Sequence, residues 1–186
     1  MTSKSDTREK ILETASLLFQ KQGYHATGLN EIIKVSGAPK GSLYYHFPKG
    51  KEELALEAIK LVSNLIQKNI ENGLSKIDEP IESIQAFIKE LASGIQCDHF
   101  SVSLLALETS CMSETLRKAC NQAFESWIRI YATKLIQGGF DKEKAQTLAR
   151  VIQLMIEGAL TISTAKKDTT TLLIVAEQIP ILLRHS

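Results

Sequence analysis

Apolar positions recur at three- and four-residue spacing along nearly the whole chain, and no stretch alternates with period two over a useful length. A helix face repeats about every 3.6 residues and a strand face every second residue, so the pattern predicts helices and no sheet. Ile11, Leu12, Ala15, Leu18 and Phe19 mark a first helix, with Asp6 as candidate N-cap and an end expected near Gly23. Thr27 is placed to cap a short second helix that turns Leu29, Ile32 and Ile33 inward, with Asn30 where a full capping box would carry Glu or Gln. Gly37-Ala38-Pro39 is a turn signal. A third short helix is expected from Lys40 to Phe47, broken by Pro48 and Gly50. A long helix follows over residues 51–73, with Glu52 and Glu53 in the first turn, where the helix dipole favours acids. Beyond Asp78-Glu79-Pro80, helices are expected over 80–96, 101–111, 114–137, 142–165 and 170–184; Gly138-Gly139 stops one and Asp141 caps the next.

Composition adds little to this, and charge distribution adds more. Apolar residues make up 44% and charged residues 23% of 186, an ordinary globular balance. The net charge of +1 is unevenly spread: residues 1–51 carry eight Lys or Arg against four Asp or Glu, and the rest is net acidic. A basic head on an acidic body fits a polyanion-binding module attached to something else. Cys97, Cys111 and Cys120 form no CxxC pair, so neither a disulfide framework nor a zinc cluster is expected, and a reducing cytoplasm fits. The N-terminus lacks the apolar region of a signal peptide, and no run approaches the roughly 18 apolar residues of a membrane span. The most apolar segment, LLIVAEQIPILL at 172–183, is interrupted by Glu177, Gln178 and Pro180 and reads as a buried helix.

Candidate chemistry concentrates in GAPKGSLYYHFPKGKEEL at 37–54, where aromatic and basic residues interleave. Two short helices about a glycine-containing turn, inside a three-helix unit, make a helix-turn-helix, whose second helix can enter the DNA major groove. On that helix Leu43 and Phe47 share the inward face, while Gly41, Tyr44 and Tyr45 lie around the other side. Lys40 and Ser42 occupy the first turn, the end that usually meets base edges. Gly41 lets backbone approach the groove. A tyrosine offers its ring to a thymine methyl and its hydroxyl to a phosphate. A helical hairpin with core-packed aromatics and solvated lysines would share this composition, since the geometry also occurs in proteins that never touch DNA.

From Thr27 through GLNEIIKVSGAPKGSLYYHF and KGKEEL, the chain resembles the TetR family of bacterial transcriptional regulators. The family pattern is a threonine opening helix 2, then Gly-x-x-Lys-Gly-x-Leu-Tyr-x-His-Phe, then Lys-Glu-x-Leu opening helix 4. The likeness covers residues 8–60, and the all-helical layout beyond agrees with it. Pro39 departs from the family's usual capping Ser or Thr; proline cannot cap, though it fits a helix start. The loop before helix 4 is one residue longer, which leaves both Lys49 and Lys51 open to the family's phosphate contact. APKGSLY with FPKGKEEL is similar to the LmrA/YxaF-like branch, whose members are repressors of efflux or detoxification genes released by aromatic, drug-like or flavonoid molecules. The resemblance implies that Lys40, Gly41 and Tyr44 face bases and that Thr27, Tyr45, His46 and Lys51 meet the DNA backbone. Ser42 and Lys49 complete the expected DNA-binding set; for His46 the alternative is a helix C-cap that does not reach DNA.

The expected architecture is all-α, with a helix-turn-helix DNA-binding domain over residues 1–50 and a larger helical ligand-binding and dimerisation domain over 51–186, entered by the connecting helix at 51–73. Segments 146–162 and 170–184 are apolar over more than one face, which predicts burial all round, inside the monomer or between two chains. The resemblance implies a homodimer, and an isologous two-fold contact matches a palindromic operator. Phe87, Leu91, Leu104, Glu108, Cys111, Phe124, Trp127, Tyr131, Met155 and Glu157 are candidates to line an inducer pocket, although aromatic stripes at this spacing also make plain core. Glu157, inside an apolar run, needs a partner or a raised pKa; it would meet a donor on the ligand or pair across the dimer.

No HExxH, P-loop, GxSxG or dinucleotide fingerprint occurs, so no enzyme activity, metal or cofactor is expected. The cluster Cys97, Asp98 and His99 reads as a polar loop. The competing readings are an activator, and a helical protein–protein adaptor with an incidental basic head. Salt-sensitive DNA binding separates the adaptor from a regulator.

Overall fold

The computed structural model describes residues 4–94 and 102–184. Among them the chain is all-helical: α1 (Lys4–Ala26), α2 (Leu29–Ser36), α3 (Lys40–His46), α4 (Lys51–Leu74), α5 (Pro80–Gly94), α6 (Val102–Thr109), α7 (Glu114–Gln137), α8 (Lys142–Lys166) and α9 (Thr170–Arg184). These helices form two compact units, one of residues 4–64 with 102–123, the other of residues 65–94 with 124–184. The unit around the helix-turn-helix thus also holds the first half of α4, all of α6 and the start of α7. Cys97, Asp98 and His99 lie outside the described residues.

In the first unit, α1 packs against α2, α3 and α6. Its inward stripe is Ile11, Leu12, Ala15 and Phe19, all buried. Each large apolar side chain so buried contributes about 1.5–3 kcal/mol. The helix expected to end near Gly23 kinks there instead: Gly23 adopts φ 84° and ψ 170°, and one further turn follows to Ala26. Thr27 does not cap α2. It is fully buried, and its hydroxyl donates to the Gly23 carbonyl at 2.7 Å, while Gly28 stands at the N-cap with no side-chain cap. The kink frees that carbonyl, and a hydroxyl four residues on reaches it more readily than it reaches forward. Gly37 ends α2 in the left-handed region at φ 66°, turning the chain sharply into α3.

In the second unit, α9 packs against both α5 and α8. Leu172, Val175, Ala176, Ile179 and Leu183 form its buried face, and α9 runs on through Pro180. Asp141 caps α8, accepting from the backbone N–H groups of Glu143 and Lys144. By length and mean hydropathy (1.2) α8 would suffice to cross a bilayer, contrary to the reading of the sequence. Its buried face of Leu148, Ala149, Ile152, Ile156 and Ala159 is that of a core helix. Its other face is different: Leu154 is 71% and Ile162 45% exposed, with exposed Gly158 between them. On α9, Leu173, Ile174 and Ile181 are exposed as well.

Candidate nucleic-acid interface and ligand site

The tight turn at Gly37 and the buried Leu43 and Phe47 dictate what α3 presents outward. Pro39 precedes the helix at φ −59° without a side-chain cap, and Phe47 N–H closes the far end on the Leu43 carbonyl at 2.8 Å. With that face anchored, Lys40, Gly41, Tyr44 and Tyr45 are exposed, and Ser42 and His46 half-buried. Tyr45 is 66% and Tyr44 46% exposed, a costly placement for large rings with no external role. The His46 ring sits edge-on to Tyr45 at 4.9 Å and to Phe47 at 6.5 Å.

The basic residues of the head divide by what they touch. Arg8 pairs with Glu57 at 3.1 Å and lies over the Phe47 ring, so it braces α1 on α4. Lys51 is half-buried; its ammonium lies 4.4 Å over the Tyr24 ring and 3.3 Å from the His25 carbonyl. Burial pulls the Lys51 pKa down, and the charge of Glu108 partly opposes this. Lys40 and Lys49 are exposed at the two ends of α3 and make no ion pair among the described residues.

Glu108 belongs to this first unit. From α6 its carboxylate accepts the Tyr24 backbone N–H, beside the Gly23 kink, and its backbone carbonyl lies 3.1 Å from His25 Nε2. The kink is what turns that N–H outward. A Cβ on Gly23 would come within 2.6 Å of the Glu108 carboxylate. Leu104 and Cys111, also assigned to the pocket from sequence, are exposed in this same unit.

The remaining pocket candidates lie in the second unit. Phe87 and Tyr131 have ring centroids 6.4 Å apart, and Phe124 stands edge-on to Trp127 at 5.4 Å. Trp127 and Tyr131 are fully buried, while Leu91, Met155 and Glu157 are half-buried. Glu157 accepts from Gln153 Nε2 at 2.8 Å. Burial, and next the nearby charge of Glu157, push the Tyr131 phenol well above its ordinary pKa. A separate open cleft of about 440 Å³ runs between α4 and α7, walled by Gln67, Glu71, Leu74, Arg129, Ile130 and Lys134, none of them singled out from sequence. It opens on a flank of α7 roughly 120° from Trp127 and Tyr131 at 100° per residue.

Comparison with known proteins agrees with this geometry. Residues 11–58 match the bacterial regulatory proteins of the tetR family, and residues 80–178 match the LmrA/YxaF-like transcriptional regulator C-terminal domain. The chain belongs to the TetR family. Within it, the chain is 51% identical to the uncharacterised HTH-type transcriptional regulator YxaF of Bacillus subtilis strain 168, covering 99% of this chain and 98% of that one. It is 47% identical to the HTH-type transcriptional regulator LmrA of the same strain, covering 98% and 100%. Among solved structures, a TetR transcriptional regulator from Legionella pneumophila superposes with a TM-score of 0.80 at 25% identity, covering 92% of this chain and 94% of that one. The protein is therefore a TetR-family DNA-binding transcriptional regulator, and its relatives are regulators rather than enzymes.

One role and one residue of consequence escaped the sequence reading: Glu108 was expected at the inducer pocket and instead braces the head, and Gln153 was not singled out. Glu108 touches Tyr24 across 84 positions, which no local pattern reports. Gln153 did carry a signal: it is a polar residue one helical turn before Glu157 in an apolar run.

Proposed function

We propose that this TetR-family protein is a cytoplasmic repressor that a small aromatic inducer releases from a palindromic operator, and that it controls efflux or detoxification genes. The observation that carries the DNA part is the outward row on α3, where Lys40, Gly41, Tyr44 and Tyr45 are exposed while Leu43 and Phe47 are buried. Lys40, Gly41, Ser42 and Tyr44 face bases. Tyr45, His46 and Lys49 meet phosphates. Engagement of the Lys51 ammonium on Tyr24 and His25 supports Lys49 as the phosphate contact. Thr27, buried and bonded to Gly23, acts by setting the turn.

Two chains associate through the exposed stripes of α8 and α9, and Gly158 allows close approach there. The inducer binds among Phe87, Phe124, Trp127, Tyr131 and Glu157. Its binding shifts α4, a continuous helix shared by both units. Half-sites one helical turn, about 34 Å, apart tolerate little change in the separation of the two α3 helices.

The test is fluorescence anisotropy of the protein on DNA flanking its own gene, at two salt concentrations and then with aromatic ligands. Tight, sequence-selective, salt-sensitive binding that a ligand reverses is expected. Equal weak binding to every duplex rejects the operator and favours the adaptor.

A further inference from the structure

The cleft between α4 and α7 brings three charged side chains together without an ion pair. On its α7 wall Arg129 is exposed and Lys134 half-buried, and on its α4 wall Glu71 is exposed. None of the three makes an ion pair among the described residues. Glu125, one turn before Arg129, is held by two guanidinium nitrogens of Arg150 at 2.6 and 3.1 Å. Lys134 donates to the Ile77 carbonyl at 2.6 Å, which leaves two of its three N–H groups for another acceptor. Glu71 accepts from Gln67 Nε2 at 2.9 Å, and a carboxylate has room for further donors. Between the charges the lining is apolar: Leu74 is buried, and Ile130 falls between Arg129 and Lys134 at 100° per residue. The volume of about 440 Å³ suits a small molecule.

We propose that this cleft is a second effector site, which takes a small apolar α-amino acid as its zwitterion. The carboxylate lies on the Arg129 fork and the Lys134 ammonium, because a planar guanidinium matches a carboxylate. The ligand's ammonium meets Glu71, and its side chain covers Leu74 and Ile130. The site is separate from the aromatic inducer site and does not depend on it. α4 and α7 both continue into the first unit, so an occupant touches two helices that the units share.

The experiment is isothermal titration of the intact protein with L-leucine, with 4-methylpentanoate, which lacks the ammonium, and with 3-methylbutylamine, which lacks the carboxylate. Leucine is expected to bind saturably and about tenfold more tightly than either, the effect of one charge-assisted contact. Arg129→Gln should remove most of leucine's advantage over the amine, and Glu71→Gln most of its advantage over the acid. Both variants should melt like the unaltered protein, since both side chains are exposed. Absence of saturable heat with millimolar leucine overturns the proposal. Equal affinity for the three probes overturns it too, and so does leucine binding that neither substitution weakens.

Discussion

Both compact units expose large apolar side chains, but in different company. In the first, Tyr44 and Tyr45 stand on a seven-residue helix with Lys40 at its start and Lys49 in the turn after it. In the second, Leu154, Ile162, Ile174 and Ile181 lie along α8 and α9, where the exposed Arg150 is paired with Glu125 at 2.6 Å. Aromatic rings among cations suit a charged partner that stays partly wet, because ring faces, hydroxyls and ammonium groups all find contacts on a nucleic acid. An aliphatic stripe in which charge is sparse, exposed Glu177 between Ile174 and Ile181 and Arg150 neutralised by Glu125, suits another apolar surface that excludes water. The number of exposed apolar residues separates the two regions poorly; the chemistry of their neighbours separates them well.

The largest effect that would break this contrast is loss of the anchor under α3. Phe47→Ala should cost about 3–5 kcal/mol, abolish operator binding and lower the melting transition, because α3 would lose its inward seat. Operator affinity that survives it would mean that α3 is not the reading helix. Next, Leu154→Glu with Ile174→Glu should turn the proposed dimer into a monomer in sedimentation velocity and leave the helical circular-dichroism signal intact, since both side chains are exposed in the single chain. A dimer that persists would move the association face elsewhere.

A smaller change sharpens the account of the head. Gly23→Ala should destabilise by about 1–3 kcal/mol, through the strained φ and through displacement of the Glu108 carboxylate from the Tyr24 N–H. Thermal melting beside a Glu108→Gln protein distinguishes the two causes. The smallest expected effect separates the two lysines. Lys49→Ala should lower the slope of log affinity against log salt by about one per chain, whereas Lys51→Ala should lower the melting temperature and leave the slope nearly unchanged. The reverse pattern would return the phosphate role to Lys51.

Much of the fold was legible from periodicity. The helices expected at 114–137 and 170–184 match α7 and α9 residue for residue, and α4 and α8 each end one residue later than expected. Asp141 caps α8 as expected, because a cap is a contact between residues two and three apart. The outward and inward faces of α3 were also readable, since they follow from helical geometry and the apolar character of Leu43 and Phe47. Thr27 misled for an equally physical reason. Its type and position match a cap, but the kink at Gly23 offered its hydroxyl a different acceptor.

The sequence by itself determined that this chain is helical, that a helix-turn-helix opens it, and which side chains of α3 face outward. Each of these rests on interactions a few residues long and on a motif whose order survives without coordinates. Only the tertiary structure decided what the long-range partners are. It bound Lys51 to His25 across 26 positions and Glu108 to Tyr24 across 84, and it enclosed Gln153 with an acceptor unpaired. Such facts depend on which surfaces the chain brings together, and a side chain's availability for DNA or ligand is what remains after those contacts have been made.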